Sequence, residues 1–244
     1  MCIRDSNEFL ADDIIAVAEA AKENLTEGGI APEKIKVILN GVEPLQKASQ
    51  QEMASMKEKY HISQKDFVIG ILARLDAVKG HQYLIEAAQE LKKEGRAFKV
   101  LIAGTGENEQ TLKTLVKQKQ LEDTVIFTGF LSEVRVFLSI LDIQANASYG
   151  TEATSLALLE GMSIGLPAVV SNYGGNPGVI IHGENGYLFE SQNSQDLLNY
   201  LKKIMDDTKT YQYMQKRAKE IYQQKFTAKM YARNIEKVYE GLFS

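Results

Sequence analysis

Phe67-Val68-Ile69-Gly70-Ile71-Leu72, then a helical stretch over 80–94, then a second apolar run from Lys99 to Ala103, set the fold class of this chain. Working outward, further apolar runs lie at Val125 to Thr128, Ile143 to Asn146 and Ala168 to Ser171, with an earlier one at Lys36 to Leu39. Amphipathic stretches at 108–119, 132–140, 154–164, 194–206, 208–223 and 227–242 read as helices, and the Gln/Lys/Glu-rich stretch 46–66 reads as a surface helix with a connector. Strands that alternate with helices of this length imply right-handed crossovers and a parallel sheet covered on both faces. The expectation is an α/β, doubly wound, Rossmann-like parallel sheet, in which ligands bind beyond the carboxyl ends of the strands. Arg74, Thr105, Phe130 and Glu152 each follow a predicted strand and so belong on one rim.

The densest chemistry lies in Tyr149-Gly150-Thr151-Glu152-Ala153-Thr154-Ser155-Leu156-Ala157-Leu158-Leu159-Glu160-Gly161-Met162. Glu152 sits in a loop after an apolar run, and Glu160 lies about one and a half turns into the following helix, so both carboxylates can converge near its N-terminus. Exposed N–H groups and the positive end of the helix attract phosphate there, while flanking carboxylates accept hydrogen bonds from hydroxyls. A nucleotide-sugar presents both kinds of group. The helix is apolar nearly all round through Leu156, Ala157, Leu158, Leu159, Met162 and Ile164, so an unpaired glutamate in it is costly and a ligand or cationic partner is expected for Glu160. Ser155 lacks the flanks of a serine nucleophile elbow.

With the segments Gly165-Leu166-Pro167-Ala168-Val169-Val170-Ser171, Gly174-Gly175-Asn176-Pro177 and Gly183-Glu184-Asn185-Gly186-Tyr187-Leu188, and with Gly70 to Leu75 and Lys79-Gly80 upstream, the chain resembles the retaining nucleotide-sugar glycosyltransferases of family 4. That family has the two-domain GT-B fold, and the resemblance runs from about Asp12 to the C-terminus as its C-terminal, donor-binding half. It implies that Arg74 and Lys79 hold the donor diphosphate, that Glu152 contacts donor-sugar hydroxyls and faces positive charge developing at the anomeric carbon, and that Glu160 binds the ribose hydroxyls. Ala153, Thr154, Ser155 and Leu156 then line the donor site, and backbone groups at Gly129 and Phe130 border the base. The alternatives read from the residues alone are two surface cations at Arg74 and Lys79, an exposed loop acid at Glu152, and a turn with a buried ring at Phe130. Two departures from the family pattern bear on donor identity: Ala153-Thr154-Ser155 replaces Gly-Phe-Gly, and Gly178 stands where a glutamate is usual.

By the same resemblance, residues 1–33 are a remnant of the acceptor-side N-terminal domain, 34–66 the interdomain connector, 67–226 the nucleotide-sugar-binding domain, and 227–244 a C-terminal helix returning toward the first domain. Its apolar stripe comprises Phe226, Met230, Tyr231, Ile235, Val238, Tyr239 and Leu242. The implied reaction moves a sugar from a nucleoside diphosphate to an acceptor hydroxyl on a glycan or lipid-linked saccharide, with no cofactor and no metal. The competing readings are a truncated, non-catalytic nucleotide-binding module, a nucleotide-sugar epimerase and, last, a dinucleotide oxidoreductase. For that last reading, Gly104-Thr105-Gly106 lacks a third glycine, since Glu109 occupies its position.

Composition narrows the setting. The 244 residues are 44% hydrophobic and 25% charged, ordinary for a globular chain, with a formal net charge of −4 and no basic footprint for nucleic acid. Cys2 is the single cysteine, which leaves no disulfide framework and makes a reduced, cytoplasmic setting the default, with peripheral contact at the inner face of the membrane expected through the acceptor-side domain. The start Met1-Cys2-Ile3-Arg4-Asp5-Ser6 has no apolar signal core and reads as a non-native beginning. His61, His81 and His182 show no metal-ligand spacing, and each reads as solvent-facing.

Overall fold

The computed structural model describes residues 11–150 and 152–242. Cys2 and the rest of the predicted start, Thr151, and the last two residues of the terminal segment lie outside the described residues.

The described residues form two parallel sheets. Strands β1 (Ile14–Ala16) and β2 (Ile35–Val37) pair in register around helix α1 (Glu19–Glu27). The capping box of Ser49 and Glu52 then opens α2 (Gln50–Lys59). The large sheet has six strands in the order β5-β4-β3-β6-β7-β8, every pair parallel. They are β3 (Phe67–Leu72), β4 (Phe98–Ala103), β5 (Val125–Gly129), β6 (Ile143–Asn146), β7 (Ala168–Ser171) and β8 (Gly186–Phe189). The helices between and after them are α3 (His81–Lys93), α4 (Glu109–Gln118), α5 (Arg135–Ile140), α6 (Leu156–Ser163), α7 (Asn176–Val179), α8 (Ser194–Asp206), α9 (Thr208–Lys225) and α10 (Ala228–Leu242).

Period-two alternation divides the strand side chains between two layers of helices. Ile69, Ile71, Val100, Ile102, Ile143 and Val169 face Leu84, Ile85, Leu112, Leu197 and Leu201 of α3, α4 and α8. On the opposite face, Val68 and Leu101 pack with Phe137, Leu138 and Ile140 of α5. There too, Val170 meets Leu158, Met162, Ile221 and Phe226. The β1–α1–β2 unit packs on a small cluster of its own, centred on Ala16, Ile30 and Ile35.

The doubly wound sheet is as expected, with local differences. The first predicted strand ends at Val37 instead of Leu39, because β1 offers three residues to pair with and the Ile38 N–H closes the ladder on the Ala16 carbonyl. The helix expected over 132–140 starts at Arg135. Strand β8 and helix α7 were not expected. His61 and His182 are exposed as predicted, but His81 is 1% exposed and belongs to the interior. The terminal helix α10 has no buried residue. Among the described residues no helix is long and apolar enough to cross a membrane.

Candidate functional site

Strand order reverses between β3 and β6, whose following loops run in opposite directions and open a crevice at the carboxyl rim. The two loops are stitched together: the Tyr149 N–H donates to the Val78 carbonyl at 2.9 Å. Gly80 adopts φ 66°, and a Cβ there would stand 2.0 Å from the Ala147 carbonyl oxygen, so only glycine lets the loops close this far.

Lys79 is presented into that crevice. Its Nζ donates to Glu152 Oε2 at 2.8 Å, and the Ser148 hydroxyl donates to the same oxygen at 2.6 Å. The pair is largely withdrawn from solvent, with side-chain exposures of 13% for Lys79 and 8% for Glu152. A relay behind it fixes the geometry. The Ser171 hydroxyl donates to the Ser148 carbonyl at 2.6 Å, and the buried Asn176 amide donates to the Ser171 carbonyl and hydroxyl, each at 3.1 Å. The Glu152 carbonyl is held by the Gly175 N–H at 3.0 Å. Gly174 turns there with φ 57°, where a Cβ would meet that same carbonyl oxygen at 2.3 Å.

Arg74 lies on the same rim but not in this cluster. Its side chain is 73% exposed and pairs with Asp76 at 2.9 Å, beside an open groove of about 590 Å3 lined by Arg74, Asp76, Ala77, Val78 and Glu107. Glu160 is half-buried on α6, and burial raises its carboxyl above the usual range. The cationic partner expected as one alternative for Glu160 is absent among the described residues. Ser155 occupies the N-cap of α6, and its side chain makes no cap hydrogen bond. Leu156 is exposed and Ala153 half-buried, while Thr154 is buried and donates its hydroxyl to the Val17 carbonyl. Gly129 turns with φ 74°, and Phe130 is 76% exposed, so the reading of a buried ring there is set aside. Gly104-Thr105-Gly106 is a packed turn: Leu75 N–H donates to the Thr105 carbonyl and Asn108 N–H to the Leu75 carbonyl, both at 2.9 Å.

Two features escaped sequence reasoning. Ser148 carried no signal beyond its place after a strand. His81, on the first turn of α3, has no hydrogen-bond partner on either ring nitrogen among the described residues, and burial, assisted by the charge of Lys79, pushes its imidazole down to about 4. A pocket of about 500 Å3 lies between α1 and the Glu152 loop, lined by Ala20, Ala21, Glu23, Asn24, Glu152, Ala153, Tyr173 and Gly174. Among the described residues no group of three or more His, Cys, Asp or Glu side chains is placed to hold a metal ion.

A switch-point crevice holding a lysine–glutamate pair beside the N-terminus of α6, set in a doubly wound parallel sheet, matches the C-terminal domain of a GT-B fold. The chain belongs to the glycosyl transferases group 1 family, whose profile matches residues 52–221. It is 27% identical over 228 residues to N-acetyl-alpha-D-glucosaminyl L-malate synthase of Bacillus anthracis, covering 93% of this chain and 59% of that protein. It is 32% identical over 193 residues to a putative colanic acid biosynthesis glycosyltransferase, WcaL, of Salmonella typhimurium, covering 76% of this chain and 46% of that one. The chain thus spans roughly half of these relatives' length. Among solved structures it is similar to Anabaena Alr3699/HepE in complex with UDP-glucose, with a TM-score of 0.90 and 25% identity over 97% of this chain and 66% of that one.

Proposed function

We propose that this chain is the donor-binding half of a retaining GT-B glycosyltransferase, which moves a sugar from a nucleoside diphosphate to an acceptor hydroxyl on a glycan or lipid-linked saccharide. The observation that carries the reading is the convergence of Lys79 and Ser148 on Glu152 at the switch point, next to the open N-terminus of α6. The UDP-glucose complex of the Anabaena relative and the polysaccharide-biosynthesis name of the Salmonella relative support the same substrate classes.

In this proposal the diphosphate takes the ammonium of Lys79, the first-turn N–H groups of α6 and the guanidinium of Arg74, which leaves Asp76 and swings in from solvent. These groups neutralise charge that grows on the leaving diphosphate, so neither a metal nor another cofactor is required. Glu152, released by Lys79 but still held by Ser148, turns its carboxylate to the sugar and to the positive charge at the anomeric carbon. Glu160 accepts hydrogen bonds from the ribose, which would supply the polar partner its half-buried carboxylate lacks. The backbone at Gly129 and Phe130 borders the base, and Ala153 to Leu156 line the donor site. Residues 1–33 belong to the acceptor-side domain, 34–66 connect, 67–226 bind the donor, and 227–244 return toward the first domain, which makes the peripheral contact with the inner face of the membrane.

A thermal-shift panel of UDP, GDP, ADP and their sugars tests the donor reading, since a ligand that binds only the folded chain raises its stability. One nucleotide class should raise the midpoint, more with its sugar attached. No shift with any of the panel at millimolar concentration would overturn it.

A further inference from the structure

The Glu152 loop is anchored on three sides by its own domain, and on the fourth by something else. The buried Thr154 hydroxyl donates across to the Val17 carbonyl at the end of β1. Val17 belongs to the β1–α1–β2 unit, whose two strands, among the described residues, pair only with each other and whose cluster of Ala16, Ile30 and Ile35 is separate from the cores of the large sheet. The hydrogen bond therefore crosses from one packed body to another. It does so two residues from Glu152 and one residue before the N-cap of α6. Directly beside it lies the pocket of about 500 Å3, with Glu23 and Asn24 of α1 on one wall and Glu152, Ala153 and Tyr173 on the other.

From this geometry we infer that Thr154 is a positioning residue: its hydroxyl tethers the β1–α1–β2 unit over the Glu152 loop and so sets the width of the pocket in which a hydroxyl-bearing sugar ring is enclosed. A ring seated between these walls meets Glu152 from the sheet domain and Glu23 and Asn24 from α1, so its hydroxyls are read from both bodies at once. The sugar part of this inference rests on the proposed function, whereas the tether itself does not.

The test compares Thr154→Val, which keeps the shape and removes the donor, with Thr154→Ser, which keeps the donor, in the 244-residue chain. Amide hydrogen exchange is followed over 14–27 and over β3, and affinities for UDP and UDP-glucose are measured by calorimetry. Thr154→Val should speed exchange across 14–27 by roughly tenfold or more while β3 stays as in wild type, because a local opening would be released without unfolding the sheet. It should also shrink the preference for UDP-glucose over UDP, whatever the change in UDP affinity itself, and Thr154→Ser should restore both. Unchanged exchange over 14–27 in Thr154→Val would overturn the tether, and so would equal acceleration in 14–27 and β3, which would make Thr154 an ordinary core residue. If the wild type binds neither UDP nor UDP-glucose, the donor reading is what fails, and the exchange comparison still decides the tether.

Discussion

Replacing Lys79 by Met tests the ion pair at the centre of the crevice. With Nζ 2.8 Å from Glu152 Oε2 and both side chains mostly withdrawn from water, the Coulomb attraction is about 6 kcal/mol at an effective dielectric near 20. Desolvating the two ions costs several kcal/mol each, so the intact pair contributes little net stability. Removing one partner is another matter, because among the described residues the buried carboxylate is then left with the Ser148 hydroxyl. The loss expected for Lys79→Met is about 3 kcal/mol, toward the low end for broken buried pairs because Ser148 still donates. Glu152→Gln on its own removes the carboxylate opposite the ammonium and should cost somewhat less, since a lysine stem can carry its charge toward solvent. Combining the two should bring the chain back to within about 1 kcal/mol of wild type, a coupling of at least about 2 kcal/mol. Urea denaturation of the four proteins closes this double-mutant cycle. Additive losses, or a Lys79→Met penalty below about 0.5 kcal/mol, would refute the pairing.

Two further outcomes follow from buried ionisable groups. Burial raises the Glu160 carboxyl above its ordinary 4.5, so the folded chain holds that proton more tightly than the unfolded one. The penalty for its charge is absent below 4.5 and grows as pH rises through the raised value, so Glu160→Gln should stabilise the nucleotide-free chain at neutral pH while weakening nucleoside diphosphate binding by about 1.5–3 kcal/mol. Calorimetry beside thermal unfolding checks both signs, and a variant that loses stability and keeps affinity would contradict them. For His81, the folded chain keeps the ring neutral down to about 4 while an unfolded histidine takes its proton near 6.5. The unfolded chain therefore binds more protons between those values, and the stability present above 6.5 should fall by on the order of 3 kcal/mol as pH drops toward 4. His81→Leu should flatten that part of the pH profile, and an unchanged slope would show that other groups carry it.

Much of the fold was legible because the central strands are buried on both faces. Phe67–Leu72 and Ala168–Ser171 are apolar runs and Ile143–Asn146 alternates Ile-Gln-Ala-Asn, the bounds of all three match the structure, and α8 matches over 194–206. Strand β8 escaped because Gly-Tyr-Leu-Phe is four residues between turns, with no periodicity to mark it. The end of β2 was misplaced because Leu39 prolongs the apolar run after its pairing partner has ended. In the site, residue types were readable and partnerships were not. Lys79 and Glu152 are 73 positions apart, and only the reversal of strand order brings them together. Ser148 and Thr154 gain their roles from where a neighbouring carboxylate and carbonyl point. His81 follows an open glycine and looks like the start of a solvated helix, yet it is 1% exposed in the folded chain.

The most direct test of the account is a calorimetric titration of wild type, Lys79→Ala and Arg74→Ala with UDP, GDP and ADP. Because the ammonium is proposed to meet the diphosphate as a point charge, one of these nucleotides should bind the wild-type chain. Lys79→Ala should then weaken that nucleotide by about tenfold or more, and Arg74→Ala should weaken it by less, since that guanidinium must first leave Asp76. Binding that is indifferent to Lys79, or no binding of any of the three, would contradict the claim that this crevice is a nucleoside diphosphate site.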